Sequence, residues 1–232
     1  MNKKISIILT TYNEIAEIEQ TINEIFKFIP NVEIVLVDDN STDGTFKKVK
    51  NIKNQNLICF SRKTRGLASA FLVGLINSSG EIIGWCDSNM SCVIKHFPTM
   101  INKLSEADVV ILSRYIEGSS DQRNRFRVIT SFILNKFSKF ILRSKINDIS
   151  SGIHIMKREV LLSAIPIGYG HGEFFMEFLS RLEKSGHKII ELPYIHPGDI
   201  EGNSKSFPNL FTFFRLGIFY ILRLIRTLFK RQ

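Results

Sequence analysis

Residues 33–45 read EIVLVDDNSTDGT, and this stretch decides the fold. Residues 33–37 have the composition of a buried strand, and the polar run after them ends at Asp43 and Gly44, where a helix can begin. Residues 5–14 read ISIILTTYNE, so a short apolar strand again gives way to polar residues. Both strands are followed by a helical pattern, which is the signature of βαβ units.

The same alternation continues through the first 115 residues. Compact segments rich in Ile and Val are typical of buried parallel strands, and the segments between them have the apolar spacing of helices. The predicted strands are residues 5–9, 33–37, 57–60, 82–86 and 109–112, and the predicted helices are residues 15–28, 44–52, 66–78 and 96–104. We therefore predict an α/β fold with a doubly wound, mostly parallel sheet and helices on both faces.

Polar and acidic residues follow three of the predicted strands, at 10–14 (TTYNE), 38–44 (DDNSTDG) and 87–89 (DSN). Ligands of such sheets bind outside the carboxyl ends of the strands, so these residues are expected around one crevice. Their carboxylates would repel one another unless a cation or a hydrogen-bonding ligand lay between them. A metal-bound diphosphate with its nucleoside would supply both. The alternative for Asp38 and Asp39 is a turn that caps the next helix.

The phosphates of such a ligand need a binding device. The sequence contains no glycine-rich phosphate loop of the Rossmann or P-loop type, which favours metal and cationic side chains in that role. The 232 residues carry a formal net charge of +9, which predicts an anionic partner. The cations interleave with aliphatic and Phe residues, and no RNA- or DNA-binding motif is present, so we expect no nucleic-acid partner.

An ordered set of motifs resembles the inverting glycosyltransferases of family 2, which have the GT-A fold, and within them the dolichol-phosphate mannose synthase group. The resemblance extends from Ile5 to about Lys205. In chain order the motifs are 11–14 (TYNE), 37–45 (VDDNSTDGT), Arg62 with 66–68 (GLA), 113–115 (SRY) with Gly118, Asp148 with 151–152 (SG), Glu177, and 202–205 (GNSK).

The resemblance implies a nucleotide-sugar site, a divalent metal site and a set of phosphate-binding cations. The implied nucleotide-sugar residues are Thr10, Tyr12, Glu14, Val37, Asp39, Arg65, Asp87 and Ser88. Asp87, Asn89 and Ser91 are expected to hold Mg²⁺ or Mn²⁺, and the catalytic set is expected to be Asp87, Arg114, Arg127 and Lys205.

Two positions depart from the family pattern. Asn89 stands where the family has the second Asp of its metal-binding Asp-x-Asp, and an amide oxygen can bind Mg²⁺ but adds no charge. Asp199 stands where the family has an Arg, so a cation is replaced by an anion near the diphosphate. Arg123 or Arg125 could supply the missing charge. The departures leave open a non-catalytic relative that binds nucleotide-sugars.

The expected acceptor is a polyprenyl or dolichyl phosphate. A hydroxyl acceptor needs a general base, whereas a monophosphate is already anionic near neutral pH because its second pKa is about 6. A cationic groove suits such an acceptor, and residues 123–127 (RNRFR) with Lys205 would line it. A solvated basic loop is the alternative. GDP-mannose is the donor that the resemblance favours, and a UDP-sugar is the alternative donor.

Two segments, 126–143 and 208–231, combine Phe, Ile and Leu with interleaved cations. In residues 208–231, Arg215, Arg223 and Arg226 leave too short an apolar stretch to span a bilayer. We predict that residues 207–232 form an amphipathic helix in the membrane interface, with its cations toward lipid phosphates, after a GT-A domain of residues 1–206. The protein is then peripheral, at the cytoplasmic face of a membrane. Alternatives for the helix are packing on the core and pairing with a membrane partner subunit.

Overall fold

A computed structural model describes residues 3–198 and 210–229, and side chains of the last helix from 217 to 228. Its main feature is a seven-stranded sheet in the order β3-β2-β1-β4-β7-β5-β8. Only β7 runs antiparallel, against both β4 and β5; the other pairings in the sheet are parallel. The strands are β1 (Ile5–Thr11), β2 (Glu33–Asp38), β3 (Leu57–Ser61), β4 (Ile82–Asp87), β5 (Val109–Ser113), β7 (His154–Lys157) and β8 (Ile189–Pro193). A short parallel ribbon pairs β6 (Ser120–Asp121) with β9 (Ile195–His196).

Helices cover both faces of the sheet. They are α1 (Ile18–Phe28), α2 (Thr45–Lys50), α3 (Leu67–Ile76), α4 (Phe97–Lys103), α5 (Arg125–Leu142), α6 (Glu173–Lys184) and α7 (Leu210–Phe229). Short 3₁₀ helices occupy Ser91–His96 and Arg158–Leu162. The predicted α/β architecture is confirmed, and the five predicted strands lengthen by one or two residues at their carboxyl ends.

Alternation along the strands builds two cores. Ile7 and Leu9 of β1 belong to the core beneath α1 and α4, whereas Ile8 belongs to the core beneath α3 and α6. Leu224 of α7 joins the second core, so α7 is packed on the domain. The described residues hold no helix that is both long and apolar enough to cross a membrane.

The orientation of α7 differs from the prediction. Its cations were expected to face lipid phosphates, and Arg226 is exposed, but Arg223 is buried against the domain together with Thr227. Ile218, Ile221 and Ile225 are exposed instead. The reason is that two buried carboxylates of α6 attract Arg223 inward, and the apolar arc of α7 then faces outward. The domain boundary predicted at residue 206 lies outside the described residues and stays a prediction.

Candidate active site

The loops after β1 and β2 are joined by hydrogen bonds into one surface. The amide of Asn13 donates to the Ser41 hydroxyl at 2.9 Å, and the amide of Thr42 donates to the Asn13 side chain at 2.8 Å. The amide of Glu14 donates to the Thr45 hydroxyl at 2.9 Å. The polar run after β2 therefore holds the segment that carries Tyr12 and Glu14.

Asp38 and Asp39 have different roles. Asp38 is fully buried and accepts hydrogen bonds from the amide and hydroxyl of Ser41, so its role is to form the turn. Asp39 accepts from the Arg62 guanidinium and, at 2.7 Å, from the amide of Gly66. The alternative from the sequence, a turn that caps the next helix, fits neither residue. Asp38 closes a turn on Ser41, whereas α2 begins at Thr45, whose amide donates to Asp43. Asp39 instead organises the loop before α3.

Arg62 extends that organisation. Its guanidinium donates to the Gly66 carbonyl at 2.6 Å and to the Ser69 hydroxyl at 2.9 Å. The neighbouring Arg65 places its guanidinium 3.6 Å from the ring centre of Tyr12, a cation–π contact. A flat surface of this kind, with Asp39 behind it, suits a base and ribose. Arg62 was not among the predicted site residues, although its position in the motif was the available signal.

Thr10, Val37 and Asp87 lie side by side on three adjacent strands. The Val37 side chain is fully buried, and the buried Thr10 hydroxyl has no hydrogen-bond partner among the described residues. Asp87 is different because it is exposed at the end of β4. These three adjacent residues therefore connect the predicted nucleotide surface to the end of β4.

The predicted metal residues follow Asp87 directly. Ser88 is buried and its carbonyl accepts a hydrogen bond from Thr21 at 2.7 Å, Asn89 is half-buried, and Ser91 begins the 3₁₀ turn. The described residues contain no group of three or more His, Cys, Asp or Glu side chains that could hold a metal. One carboxylate with amide and hydroxyl oxygens nevertheless fits Mg²⁺, which commonly takes one or two carboxylates together with substrate phosphates.

A cleft of about 190 Å³ opens beside Asp87. It lies between the ends of β4 and β5, the 171–172 segment, β9 and α7. Its polar and aromatic wall includes Trp85, Asp87, Arg114, Arg123, Arg127, His171, Tyr194, His196 and Tyr220. The structure therefore brings three of the predicted catalytic residues, Asp87, Arg114 and Arg127, to one cavity.

Arg114 is the most firmly held cation of the cleft. Its guanidinium makes a two-pronged ion pair with Asp148, with both N–O distances 2.7 Å, and donates to the Ser150 hydroxyl at 2.9 Å. Burial alone would lower the pKa of Arg114, but the Asp148 carboxylate raises it well above its ordinary value. Arg114 thus stays charged in a fixed orientation.

Arg123 and Arg125 are the two suggested substitutes for the cation missing at Asp199. Arg123 lines the cleft, but both carboxylate oxygens of Asp121 accept from it. Arg125 is exposed in the first turn of α5. Arg123 is therefore the better placed of the two. Asp199 and Lys205 lie outside the described residues, so the role of Lys205 in phosphate binding stays a prediction.

Several wall residues were missed by the sequence analysis. Burial first, and Arg123 second, lower the pKa of His196 to about 4, so its imidazole is neutral at neutral pH. Burial raises the pKa of both Tyr194 and Tyr220 above the ordinary value. None of these residues belongs to a motif, and only the packing of β9 and α7 against the cleft reveals them.

The arrangement can bind a nucleoside diphosphate across the ends of β1, β2 and β4 and a second anion among the arginines. The model of the glycosyl transferase family 2 matches residues 6–163 of the 232. The chain belongs to glycosyl transferase family 2. The predicted family resemblance is confirmed.

Two curated relatives of this family 2 glycosyltransferase are both named as enzymes that attach mannose to a lipid phosphate. The dolichol-phosphate mannosyltransferase of Pyrococcus furiosus is 31% identical over 217 residues, which cover 87% of this chain and 59% of that protein. The polyprenol monophosphomannose synthase of Mycolicibacterium smegmatis is 27% identical over 205 residues, which cover 81% of this chain and 75% of that protein. The chain thus spans less than two thirds of the Pyrococcus relative.

A solved structure shares the fold of this family 2 glycosyltransferase. It is glucosyl-3-phosphoglycerate synthase from Mycobacterium tuberculosis in complex with Mn²⁺, UDP and glucosyl-3-phosphoglycerate. The TM-score is 0.72 at 19% identity, and the match covers 100% of this chain and 82% of that one. At this identity the likeness establishes the GT-A fold.

Proposed function

We propose that the chain transfers a sugar, mannose from GDP-mannose in the first instance, to a polyprenyl or dolichyl phosphate. The observation that carries this proposal is the cleft in which Arg114, Arg123 and Arg127 face Asp87 at the end of β4. The names of the two curated relatives support a lipid-phosphate acceptor and a mannosyl group. The UDP in the solved structure of similar fold keeps a UDP-sugar as the alternative donor.

The transfer is a displacement at the anomeric carbon. A phosphate oxygen of the lipid attacks that carbon, the bond to the diphosphate oxygen breaks, and the nucleoside diphosphate leaves with the bonding electrons. In this proposal Tyr12, Arg65 and Asp39 orient the nucleoside, and the arginines stabilise the two phosphate groups. Arg114 contributes a preorganised charge because Asp148 holds it in place.

The acceptor follows from the lining of the cleft. Among the described residues of its wall, Asp87 is the single carboxylate, and it is assigned to the metal. A hydroxyl acceptor would need a further carboxylate as general base. A lipid monophosphate needs none, since its second pKa is about 6 and it is anionic at neutral pH.

Mg²⁺ or Mn²⁺ would be held by Asp87, Asn89 and Ser91 together with the donor. When bound there, the ion would neutralise charge on the leaving diphosphate. The charge of the protein site is low because Asn89 is neutral, so donor phosphates must contribute a large share of the ligands.

The proposal is tested with the full chain, short-chain polyprenyl phosphate and a panel of radiolabelled GDP- and UDP-sugars, with and without Mg²⁺ or Mn²⁺. We expect label from GDP-mannose in the lipid fraction, dependent on metal, and none when polyprenol replaces its phosphate. Transfer from a UDP-sugar alone would establish the alternative donor. Nucleotide binding without transfer from any donor would identify a non-catalytic relative.

Metal assignment is tested by Asn89→Asp. The added carboxylate should lower the Mg²⁺ concentration for half-maximal nucleotide binding or transfer about tenfold, since carboxylate count tunes affinity. Asn102→Asp is the matched control because Asn102 is exposed on α4. An unchanged metal requirement in Asn89→Asp would move the metal away from this segment.

A membrane surface is the proposed location of the reaction. α5 exposes Phe126, Ile129, Phe132, Ile133, Phe137 and Phe140, and α7 exposes Ile218, Phe219, Ile221, Leu222, Ile225 and Leu228. The two helices pack against each other, so their exposed apolar side chains adjoin. Lys136, Arg143 and Lys145 are exposed beside them. Apolar residues next to cations suit the interface of an anionic bilayer.

A further inference from the structure

α7 holds a buried ion pair with the domain. Arg223 is 4% exposed, and its guanidinium donates to the Glu177 carboxylate of α6 at 2.9 Å and to the Tyr169 carbonyl at 2.6 Å. The Glu173 carboxylate lies 3.7 Å from the same guanidinium. Glu173 and Glu177 are themselves buried. Two buried carboxylates and a carbonyl therefore converge on one side chain of α7.

The loop before α6 is shaped to receive α7. Gly170 has a φ of +112°, and a Cβ there would lie 2.5 Å from both the Arg223 guanidinium and the Glu173 carboxylate. A Cβ on Gly172 would lie 2.6 Å from the Tyr220 hydroxyl. Glycine at these two positions is what permits Arg223 and Tyr220 to approach the loop.

The same loop forms part of the cleft. His171 and Gly172 line it together with Arg114 and Arg127, and Tyr220 of α7 completes that wall. The carboxylate of Glu173 accepts from the amide of His171 at 2.9 Å, so the ends of the loop are held from α6 and from α7. α7 is thus both a wall of the cleft and the carrier of an exposed apolar face.

We propose that Arg223 is a positioning residue, which fixes the 169–172 loop and Tyr220 and thereby couples the seating of α7 to the order of the transfer cleft. The effect on transfer rests on the function proposed above, whereas the effect on the cleft does not. Arg223 lies outside the motifs that carried the family resemblance. It acts through the loop and not on the substrate.

The first test follows the cleft without any substrate. Trp85 is the single tryptophan, is 1% exposed and lines the cleft, so its fluorescence reports on this cavity alone. In Arg223→Met we expect a marked rise in acrylamide quenching of Trp85. Arg223→Lys keeps the charge but loses the planar guanidinium that donates to two partners at once, so its quenching should be intermediate. Gly217→Ala is the control, because a Cβ at Gly217 on the same helix contacts nothing within 4 Å.

The second test follows transfer to a short-chain acceptor in detergent. A misplaced loop should lower kcat about 100-fold in Arg223→Met while the KM for the donor stays within twofold, since small displacements near a reacting centre have effects of this size. Arg223→Lys should recover part of the loss. If the wild-type chain transfers no sugar, the quenching experiment still decides the positioning role.

A paired variant separates positioning from stability. Arg223→Met removes the Arg223 cation from beside two buried carboxylates. Arg223→Met with Glu177→Leu replaces the closer ion pair by apolar groups, a change that is often neutral for stability, while Glu173 keeps the amide of His171 as a donor. We expect the double variant to regain part of the lost Tm, because Glu173 stays buried without Arg223, and to retain the high quenching and low kcat. Full recovery of kcat and of wild-type quenching would overturn the proposal and leave the ion pair a purely stabilising one.

A vesicle-binding experiment separates the role of Arg223 in the cleft from membrane binding by α7. Ile221→Asn removes an exposed apolar side chain of α7 and should weaken binding to anionic vesicles, with wild-type quenching and wild-type kcat in detergent. Arg223→Met should bind the same vesicles as the wild-type chain does. A loss of vesicle binding in Arg223→Met that equals the loss in Ile221→Asn, together with wild-type quenching and wild-type kcat in detergent, would contradict a role within the cleft.

Discussion

Arg114 and Asp148 lie 34 positions apart in the chain and form the best-defined ion pair of the cleft. Asp148 is in turn held by Glu191, whose carboxylate accepts from the Asp148 amide at 2.9 Å. At the scale of single residues, the site therefore relies on carboxylates that orient cations. The motif residues Asp39 and Asp148 both act in this way, on Arg62 and on Arg114.

Replacement of Arg114 by Lys tests the importance of that orientation. Lys keeps the charge but cannot fill both prongs of the pair with Asp148, so transition-state stabilisation should fall and kcat/KM should drop about 100-fold. Arg143→Lys serves as control because Arg143 is exposed at the end of α5. A loss in Arg114→Lys no larger than in the control would remove Arg114 from the phosphate-binding set.

His154 makes stability depend on pH. It is fully buried among Phe71, Trp85 and Phe175, and burial lowers its pKa from 6.5 to about 4. The unfolded chain binds a proton at this residue below about pH 6.5 and the folded chain does not, so stability is lost as the pH falls from 6.5 toward 4.

Measurement of denaturant unfolding at pH 7.5 and pH 5 checks this effect. Between pH 7.5 and pH 5 the free energy of unfolding of the wild-type chain should fall by about 2 kcal/mol more than that of His154→Phe. The reason is that the variant has no group at this position that binds a proton. Equal pH dependence of the two chains would show that the imidazole is protonated in the folded state.

At the scale of elements, the proposed nucleotide surface depends on hydrogen bonds between loops. The loops after β1 and β2 are joined through Asn13, Ser41 and Thr45, and the loop before α3 is joined to β2 through Asp39. The three loops therefore form one connected surface, on which Arg65 and Tyr12 meet.

Asp39→Asn should loosen this surface. An amide cannot accept from both Arg62 and Gly66 as the carboxylate does, and its own N–H groups would face one of these donors. We expect the Kd of the nucleoside diphosphate to rise between about tenfold and 100-fold, because one charge-assisted hydrogen bond and the order of the loop are lost. Asp108→Asn is the control, since Asp108 pairs with Lys157 at the other end of the strands. Calorimetric titration with GDP and UDP measures the difference.

At the scale of the whole molecule, the sheet separates two tasks. The carboxyl ends of β1, β2 and β4 carry the proposed nucleotide surface, and α5 and α7 close the cleft and expose apolar side chains on the outside. A donor from water and an acceptor from a bilayer would then reach the cleft from different sides.

Vesicle binding tests this division. Ile133 on α5 is 60% exposed, and Ile133→Asn should weaken binding to anionic vesicles about tenfold, because the burial of one such side chain contributes roughly 1.5 kcal/mol or more. Ile76→Asn is a matched control, since Ile76 is 79% exposed on α3. Equal effects of the two substitutions in flotation assays would exclude α5 as the membrane-facing element.

The fold, and the placement of the residues proposed to bind the donor, were predictable because their signals are local. A buried parallel strand needs a run of Ile and Val, and the residues at its carboxyl end follow directly in the chain, so Tyr12, Asp39 and Asp87 could be named from their neighbours. Membership of glycosyl transferase family 2 rests on the same local motifs, since the family model ends at residue 163.

The rest required the tertiary structure. β7 enters the sheet antiparallel between β4 and β5, and α7 docks through Arg223 on Glu177, 46 positions away in the chain. The helical pattern of residues 208–231 defines two faces of α7 but does not state which face meets the protein. The sequence by itself determined five strands of the main sheet, β1 to β5, the acidic ends of three of them, and the family. Only long-range packing decided the wall of the cleft and the outward face of α7, because buried charges are stable where partners from distant segments converge.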